Sequence, residues 1–497
     1  MEAKREDTTH LQNNSIAVTQ EQVNLIKTRG YNEDLVPKTA DKRNMGWNNY
    51  FTLWMGSVHN IPNYAAVGGF LVLGLSPLNI MVALIISSIV VAGMMTLNGK
   101  AGAKYGIPFS MHLRSTYGET GAKLPGFLRG IVAAIAWFGL QNFTASLALL
   151  ILIGKIWPGF LGLGGDWSFL GISLPGLIAF TVFWAINVLI GLGGGAILNK
   201  FTAILNPLIY VVFIGMTIWA VKVGGGFGNI LAYRPEGVIQ NQSTLLIYLM
   251  VINSVIAVWA APGSSVSDFT QSAKTMKDQV FGQSIGLITG YIIFAFSSIA
   301  ILIGGSIHYG VNEWNVLNIV QKWDNLPAII LCILVLLMTT ISTNATGNIV
   351  PAAYQLSALF PKQINYKKGV IIAGVISYVI MPWKLMENEQ SIFAFLNMVG
   401  AVIGPVVGVM LAQYFFVHKE KINLEELYMD NSVDNSQNQY HGTNKEAYVA
   451  TIIALVISIS GQFIPSLSVV TDLSFFVGCG LAFVIYLGMK YKTLNKK

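Results

Sequence analysis

Long apolar runs separated by short polar segments dominate the pattern of the chain. A membrane-spanning helix needs about 20 mostly apolar residues, and by this criterion the sequence predicts twelve spans. In order, they are residues 49–74, 77–98, 126–153, 169–193, 199–222, 244–262, 279–305, 326–350, 368–382, 391–416, 447–465 and 471–489. The pattern therefore predicts an all-α polytopic membrane protein.

The first predicted span is interrupted in its middle by the polar sequence His59-Asn60-Ile61-Pro62-Asn63. Pro62 has no backbone N–H to donate, and lipid cannot satisfy the carbonyl that loses its partner. The interrupted backbone must therefore face protein or a water-filled cavity. We expect a broken helix that helps to build a substrate pocket.

The sixth span carries a similar interruption, because Pro262 lies in its second half and is followed by small residues. Aligning the first and sixth spans matches Pro62 with Pro262. The sixth span starts on the opposite side of the membrane, since five spans precede it. Two halves of opposite topology, each beginning with a broken helix, are typical of inverted-repeat secondary transporters.

This repeat predicts a division of the chain into segments. A first five-helix repeat covers residues 49–222, and an inverted second repeat covers 244–416. The predicted remainder is an N-terminal tail (1–48), a polar linker (417–446), two peripheral helices (447–489) and a C-terminal tail (490–497). The Gly-rich, basic loop 99–124 is expected to lie along the membrane surface or partly to re-enter it.

The charge distribution predicts orientation. Only 11% of the residues are charged, against about a quarter in soluble proteins. Of the 30 Lys and Arg residues, 25, including Arg129, fall on one predicted face, and five fall on the other. The positive-inside rule then places both termini in the cytoplasm, with the protein in the cell membrane. The basic residues that give the net charge of +7 lie in the segments between apolar spans and do not form a continuous surface or arm. A nucleic-acid partner is therefore excluded.

Trp137 and Gln141 lie four residues apart in the third span and therefore share one helix face. A flat aromatic ring beside an amide that both donates and accepts suits a planar ligand with amide groups. The alternative is an aromatic residue packed between helices, with a glutamine bonded to a neighbour.

Trp259 and Asp268 flank the interruption of the sixth span. Trp259 is placed to cover the other face of a planar ligand, and its position in the middle of the span argues against an interfacial aromatic residue. Asp268 is a functional candidate because ionisable groups at membrane depth are costly. Its alternatives are a cap on nearby backbone or a pair with a lysine.

The eighth span is the most polar, with Thr339, Ser342, Thr343 and Asn344 close together and Asn348 one turn later. Hydroxyl and carbonyl oxygens at mid-membrane suit a hard cation such as sodium. The alternative is ordinary hydrogen bonding between helices. Asn348 has the amide chemistry of Gln141, so the two could bond one ligand from two sides.

His59 lies within the first span and titrates near neutrality when unperturbed, so it is a candidate for proton coupling; the alternative is a neutral hydrogen-bonding residue. Motifs for nucleotide-driven pumping, dinucleotide binding or hydrolysis are absent from the sequence. No cofactor and no enzymatic activity are therefore expected.

Several segments resemble one transporter family in content and order. They are NEDLVP, LWMGSVHNIPNYAAVGG, LNGKAGAKYGIPF, AWFGLQ, WAAPGSSVSDFT, STNATGNIVPAAY, MPWKL and GPVVGVMLAQYF, spread over about residues 31–430. They resemble the nucleobase/hydantoin/allantoin cation symporters, most closely the bacterial allantoin permeases. The resemblance implies a LeuT-type fold of ten helices in two inverted repeats plus two more, working by alternating access.

The resemblance also implies roles for individual residues. The substrate would be contacted by Trp137, Gln141, Trp259, Asn348 and Asn60. A sodium ion would be held by the carbonyls of Gly56, His59 and Thr339 and the hydroxyls of Ser342 and Thr343. The hydantoin branch of the family has a glutamine where Asn60 stands and an aliphatic residue where His59 stands.

The function expected from these observations is import of a small planar ureide, allantoin first, coupled to a cation. An alternative keeps the fold but transports cytosine, uracil, a purine or a hydantoin with proton coupling. An alternative of another class is a membrane channel or a substrate sensor. Against these two, polarity is concentrated in mid-span patches, and neither tail is long enough for an evident output domain.

Overall fold

The computed structural model describes residues 11–12, 15–234, 243–311, 313, 315–384, 389–429 and 438–494. Parts of the predicted tails (1–48 and 490–497) and linker (417–446) lie outside these residues. The described chain is mainly helical, with two small antiparallel hairpins. They pair Leu11–Gln12 with Ser15–Ile16 and Ser168–Phe169 with Ile172–Ser173.

Among the described residues, the first half contains ten α-helices and the second half twelve. Those of the first half are α1 (Gln20–Thr28), α2 (Trp47–Val58), α3 (Ile61–Val72), α4 (Pro77–Tyr105), α5 (Phe109–Tyr117), α6 (Lys123–Phe127), α7 (Ala134–Ile156), α8 (Leu174–Leu192), α9 (Gly194–Val223) and α10 (Phe227–Ala232). A π-helical turn, Leu128–Ala133, joins α6 to α7.

The second half contains twelve α-helices. They are α11 (Thr244–Ser264), α12 (Ser267–Thr270), α13 (Met276–Tyr309), α14 (Val316–Gln321), α15 (Leu326–Asn344), α16 (Val350–Leu359), α17 (Tyr366–Val379), α18 (Glu389–Leu411), α19 (Leu424–Leu427), α20 (Lys445–Ile459), α21 (Ser468–Asp472) and α22 (Ser474–Leu494). A π-helical turn, Ala345–Ile349, joins α15 to α16, and another, Ala412–Val417, follows α18.

Within the described residues, eight helical segments are long and apolar enough to cross a membrane individually. A ninth span results if Lys445–Gln462 and Pro465–Asp472, which meet at a bend of 115°, are counted as one. The other predicted spans correspond to the divided pair α2 and α3, to α9, and to α17 with its 14 residues. The structure is therefore consistent with the predicted twelve.

The predicted break in the first span is present between α2 and α3. Asn60 caps α3, because its side-chain oxygen accepts from the backbone N–H of Asn63 at 3.0 Å. Pro62 stands in the first turn of α3, where its missing N–H costs nothing. The polar sequence thus ends one helix and starts the next within two residues.

The break predicted at Pro262 lies further along the chain. Pro262 is inside α11, which continues to Ser264, and the interruption is Ser265–Val266 before the short helix α12. A proline removes one hydrogen bond from a helix but does not oblige the helix to end there. The hydroxyl of Ser264 also donates to the Ala261 carbonyl at 2.8 Å, which satisfies polar groups in this last turn.

Small residues allow the first span to lie close to α13. A Cβ added at Gly282 would come within 2.3 Å of the Trp47 carbonyl, and one at Gly286 within 2.7 Å of the Phe51 carbonyl. Such backbone contact is typical of membrane helix interfaces, where packing replaces the hydrophobic effect. The contact fixes α2 beside α13 and thereby positions the break at the end of α2.

The loop predicted at 99–124 is more ordered and more buried than a surface loop. Helix α4 runs on to Tyr105, and all nine residues of α5 are buried. The Asp268 carboxylate accepts from the backbone N–H of Phe109 at 2.8 Å, so α12 caps the start of α5. The segment therefore packs within the protein.

Candidate functional site between the broken helices

One narrow cavity lies where the break between α2 and α3 faces α7, α11 and the π-helical turn Ala345–Ile349. Its free volume is about 30 Å³, enough for about two water molecules. The five residues predicted to contact substrate all line it: Asn60, Trp137, Gln141, Trp259 and Asn348. Pro62, Pro262 and Thr343 line it as well.

Trp137 and Gln141 leave hydrogen-bonding groups without partners in this cavity. Within the described residues, neither Trp137 Nε1 nor Gln141 Oε1 has a hydrogen-bond partner, although both atoms are buried. The Trp137 ring packs edge-to-face on Phe395 at a centroid distance of 4.9 Å, which fixes its plane. A donor and an acceptor on one helix face are complementary to the C=O and N–H of an amide.

Asn348 is held by a chain of amides. Its Nδ2 donates to Asn344 Oδ1 at 2.8 Å, and Asn344 Nδ2 donates to the Phe138 carbonyl at 3.2 Å and to Asn142 Oδ1 at 3.3 Å. Buried polar networks of this kind fix side-chain orientation when their members are satisfied. Asn142 therefore has a supporting position in this chain of amides.

Trp259 and Asn60 are already bonded within the protein. Trp259 Nε1 donates to the Tyr291 hydroxyl at 2.6 Å, which leaves the indole face to contact a ligand. Asn60 Nδ2 donates to the Ser57 carbonyl at 2.9 Å while its oxygen caps α3. The Asn60 amide thus stabilises the break itself. A ligand that bonds to this amide would have to share it with the Ser57 carbonyl and the Asn63 N–H, or displace one of them.

The carbonyls of Gly56 and His59 are left without donors from their own helix. In a continuous helix the N–H groups of Asn60 and Asn63 would bond to them. Instead Asn60 N donates to the Val58 carbonyl at 3.1 Å, and Asn63 N donates to Asn60 Oδ1. Unwound backbone carbonyls of this type coordinate cations in transporters with broken helices.

The hydroxyl of Thr343 reaches the end of α2 from α15. Thr343 Oγ1 lies 3.1 Å from the Ser57 carbonyl and 2.9 Å from the Thr339 carbonyl, so it can bond to either. The neighbouring Ser342 Oγ is buried and has no partner among the described residues. An unpartnered buried oxygen is able to ligate a hard cation.

Comparison with known proteins identifies the family. The family model described as a permease for cytosine/purines, uracil, thiamine and allantoin matches residues 37–478. The chain belongs to this permease family. It is therefore a multi-pass membrane transporter and not an enzyme.

Two relatives and one solved structure extend this result. The permease is 54% identical to a protein of Escherichia coli (strain K12) provisionally named an allantoin permease, covering 95% of this chain and 97% of that one. It is 40% identical to the allantoin permease of Bacillus subtilis (strain 168), covering 92% of each chain. Its fold matches that of MHP1, a nucleobase-cation-symport-1 family transporter in a closed conformation with bromovinylhydantoin bound. That match has a TM-score of 0.76 at 20% identity and covers 94% and 96% of the two chains.

The structural match confirms the predicted LeuT-type architecture of the permease. The proposed roles of the individual side chains rest on the geometry described above.

Asp268 does not line the cavity of the permease. It lies on α12, where one carboxylate oxygen caps α5 through Phe109 N and the other has no hydrogen-bond partner within the described residues. The capping alternative that the sequence left open therefore describes its contacts. No ion pair joins Asp268 to a lysine within the described chain, although Lys38 lies close enough to interact with its charge.

His59 lies in an aromatic cluster beside the cavity. Its ring centroid is 4.7 Å from that of Phe213 and 5.6 Å from that of Phe294, and its Nδ1 lies 3.3 Å from the Tyr64 hydroxyl. His59 is not among the described residues that line the cavity. This placement fits the neutral hydrogen-bonding alternative, while the His59 carbonyl remains at the break.

Arg129 is a residue of the permease that sequence reasoning placed wrongly. The charge count assigns it to the basic residues of one side of the membrane, but it is fully buried among the helices. Its guanidinium donates to the carbonyls of Ala261 at 2.5 Å and Gly347 at 2.9 Å, and to the Ser265 hydroxyl at 2.9 Å. The available signal was an arginine four residues into an apolar run, where a charged group indicates function.

Proposed function

We propose that this permease imports a small planar ureide, allantoin first, by alternating access coupled to a cation. The observation that carries the proposal is that Trp137 and Gln141 line one cavity together with Asn348, while Trp137 Nε1 and Gln141 Oε1 have no hydrogen-bond partner among the described residues. Their donor and acceptor match the amide edges of a ureide. The names of the two bacterial relatives favour the same substrate.

The proposed substrate is uncharged. No Lys, Arg, Asp or Glu is among the described residues that line the cavity. A charged ligand in a buried site requires an opposite charge or a metal ion, because desolvation of an isolated ion is costly. The neutral amide and aromatic lining supports a neutral, hydrogen-bonding solute.

Binding is proposed to widen the cavity. A free volume of about 30 Å³ holds only about two water molecules, which is far less than a heterocyclic ligand of about ten heavy atoms needs. The rings of Trp137 and Trp259 would move apart to admit the ligand between them. Gln141 and Asn348 would then bond to its edges, with Asn60 at the break.

Sodium is proposed as the coupling ion. The carbonyls of Gly56, His59 and Thr339 and the hydroxyls of Ser342 and Thr343 would hold it. The ion would link the end of α2 to α15, so that its release would free the broken helix to move. Such rearrangement of one helix bundle against another is how alternating access proceeds.

Both termini are proposed to be cytoplasmic and the protein to lie in the cell membrane. The positive-inside asymmetry supports this orientation even when the buried Arg129 is left out of the count. The two five-helix repeats, 49–222 and 244–416, and the peripheral pair, 447–489, remain the proposed division of the chain.

Uptake by purified permease in proteoliposomes tests the proposal. Labelled allantoin, hydantoin, cytosine and uracil are offered with an inward sodium gradient, with a proton gradient, or with neither. We expect accumulation of allantoin driven by sodium, with unlabelled allantoin as the strongest competitor. The substrate assignment fails if allantoin neither accumulates nor competes.

The same assay decides between the coupling ions. Uptake that ignores sodium and is abolished by a protonophore would reject the proposed sodium site and favour a proton-coupled mechanism that uses His59. Flux without accumulation under any gradient would indicate a channel, and binding without flux would indicate a sensor.

A further inference from the structure

A second and larger cavity lies at the end of the helix bundle that we propose to be cytoplasmic. Its free volume is about 470 Å³, and it shares no lining residue with the cavity between the broken helices. It forms where the chain segment after α1 crosses α5, α6 and the end of α16. Nothing in the proposed transport cycle uses this cavity.

The lining of this cavity is strongly basic. Four cationic side chains, Arg29, Arg114, Lys123 and Lys362, line it together with one acidic side chain, Glu119. Arg114 Nη2 lies 3.9 Å from the Glu119 carboxylate, so the single acid is already engaged. Neither Lys123 nor Lys362 has an ion-pair partner within the described residues, and both are exposed. A concave surface lined by one sign of charge concentrates ions of the opposite sign.

Two buried polar side chains in the wall have hydrogen-bonding atoms without partners. Gln355 is only 2% exposed, and within the described chain its Nε2 has no hydrogen-bond partner. Ser110, 8% exposed and in the first turn of α5, has an unpartnered hydroxyl. An amide NH₂ and a hydroxyl can both donate, so their geometry suits a ligand rich in acceptor oxygens.

The position of Gln355 is imposed by two glycines of the facing helical segment. A Cβ at Gly130 would come within 2.2 Å of Gln355 Cβ, and one at Gly126 within 2.7 Å of Gln355 Oε1. Any other residue at either position would displace the glutamine. The amide is therefore held in place by close packing and is not an incidental surface group.

We propose that this cavity binds an oxyanion, the phosphate group of a soluble compound or of a lipid headgroup. The amide of Gln355 and the hydroxyl of Ser110 would donate to it from the buried wall. Lys123 and Lys362 would neutralise it from the open side, and the guanidinium of Arg29 would approach from the N-terminal segment. Hydrogen bonds from charged donors to phosphate oxygens are among the strongest that proteins form.

Occupancy of the site affects the segment that leads into the first span. Asn32 Nδ2 donates to Ser357 Oγ at 2.9 Å, and Asp34 Oδ2 accepts from Tyr366 N at 3.3 Å, so this segment already rests on α16 and α17. A bound oxyanion adds contacts between the same elements. Because α2 follows directly, binding opposes its movement and slows transport.

Thermal unfolding of the full-length permease in nanodiscs tests the proposal. In phosphatidylcholine nanodiscs, inorganic phosphate is titrated against chloride at matched ionic strength. We expect a saturable rise in Tm for the wild type and at least a tenfold weaker half-saturation for the double variant Lys123→Gln/Lys362→Gln. The control Lys367→Gln/Lys368→Gln removes the same charge from exposed positions that do not line the cavity, and should behave like the wild type.

The lipid arm repeats the experiment with phosphatidylglycerol in the nanodiscs and no free phosphate. Stabilisation only in this arm, lost in Lys123→Gln/Lys362→Gln, identifies a lipid headgroup as the ligand; stabilisation by free phosphate identifies a soluble one. Gln355→Leu should weaken either response. The proposal is overturned if neither phosphate nor phosphatidylglycerol raises Tm, or if the Lys123/Lys362 variant and its control respond alike.

Discussion

Arg129 Nη2 donates to the carbonyl of Gly347 at 2.9 Å, which joins the third span to the π-helical turn of the eighth. Pro351, four residues after Gly347, has no N–H to offer that carbonyl. The same guanidinium donates through Nε to the Ala261 carbonyl beside the break in the sixth span. One buried arginine, which itself lies in the π-helical turn Leu128–Ala133, therefore connects the irregular parts of three spans.

Replacing Arg129 with lysine should destabilise the permease and reduce uptake sharply. An ammonium group cannot span the three acceptors that the planar guanidinium reaches. Each buried polar group left unpaired costs about 1–3 kcal/mol. The measurement is Tm in nanodiscs together with the initial uptake rate.

Arg234→Lys is the matched control, because Arg234 is exposed and donates, within the described residues, to the nearby carbonyls of Leu231, Ala232 and Tyr233. Equal Tm and equal uptake for the Arg129 and Arg234 variants would show that the buried guanidinium has no special role.

Trp137→Ala and Asn348→Ala should weaken substrate binding at least about tenfold, which corresponds to about 1.4 kcal/mol. The first removes a stacking surface, and the second removes an amide at the opposite edge of the cavity. Binding is measured by isothermal titration on purified protein. Trp157→Ala removes an exposed indole far along α7 and should leave affinity unchanged. Wild-type affinity in both cavity variants would reject the pocket.

Ser342→Ala separates a cation ligand from a structural hydroxyl. The Ser342 oxygen has no hydrogen-bond partner within the described residues, so its removal should leave Tm without sodium nearly unchanged. The sodium concentration for half-maximal uptake should rise at least about tenfold, or about 1.4 kcal/mol. Uptake is measured over a sodium titration.

Ser87→Ala is the control for this change, because Ser87 is equally buried but donates to the Ala83 carbonyl of its own helix at 2.7 Å. An unaltered sodium titration for Ser342→Ala would remove this hydroxyl from the site.

Lys38 should make stability depend on pH in the alkaline range. Burial lowers the pKa of Lys38 from its ordinary 10.5, and nearby Lys42 lowers it further. Between the lowered pKa and about 10.5 the unfolded chain binds more protons than the folded protein, so stability rises with pH across that window. Lys38→Met removes this rise.

The measurement is Tm against pH for the wild type, for Lys38→Met and for the exposed control Lys367→Met. We expect the Tm of the wild type to increase relative to that of Lys38→Met as the pH rises toward 10.5, and to stay at a constant difference from that of Lys367→Met. A constant difference between the wild type and Lys38→Met would contradict the prediction.

The sequence was sufficient for features governed by local chemistry. The break before Asn60 follows from a proline and two asparagines within an apolar run, and the spacing of Trp137 and Gln141 places both on one helix face. The cavity brings these residues together with Trp259 and Asn348. Their predicted contact with substrate awaits the binding measurements.

Features that depend on packing between helices that are distant in the chain could not be predicted from the sequence. The position of the sixth-span break depends on Ser264 and Ser265 satisfying the helix end, so it lies beyond Pro262. The burial of Arg129 depends on carbonyls released by two other helices. A charge count along the chain shows only that an arginine lies near the boundary of a predicted span.

The double engagement of Asn60 has a consequence for inhibitor design. Its amide holds the Ser57 carbonyl on one side of the break and the Asn63 N–H on the other. A molecule that forms a hydrogen bond with this amide has to compete with these backbone groups. Its binding therefore weakens the connection between α2 and α3. A molecule of the same shape that leaves Asn60 to the backbone would fill the cavity and keep that connection rigid. Cargo and blocker could then differ by one hydrogen bond.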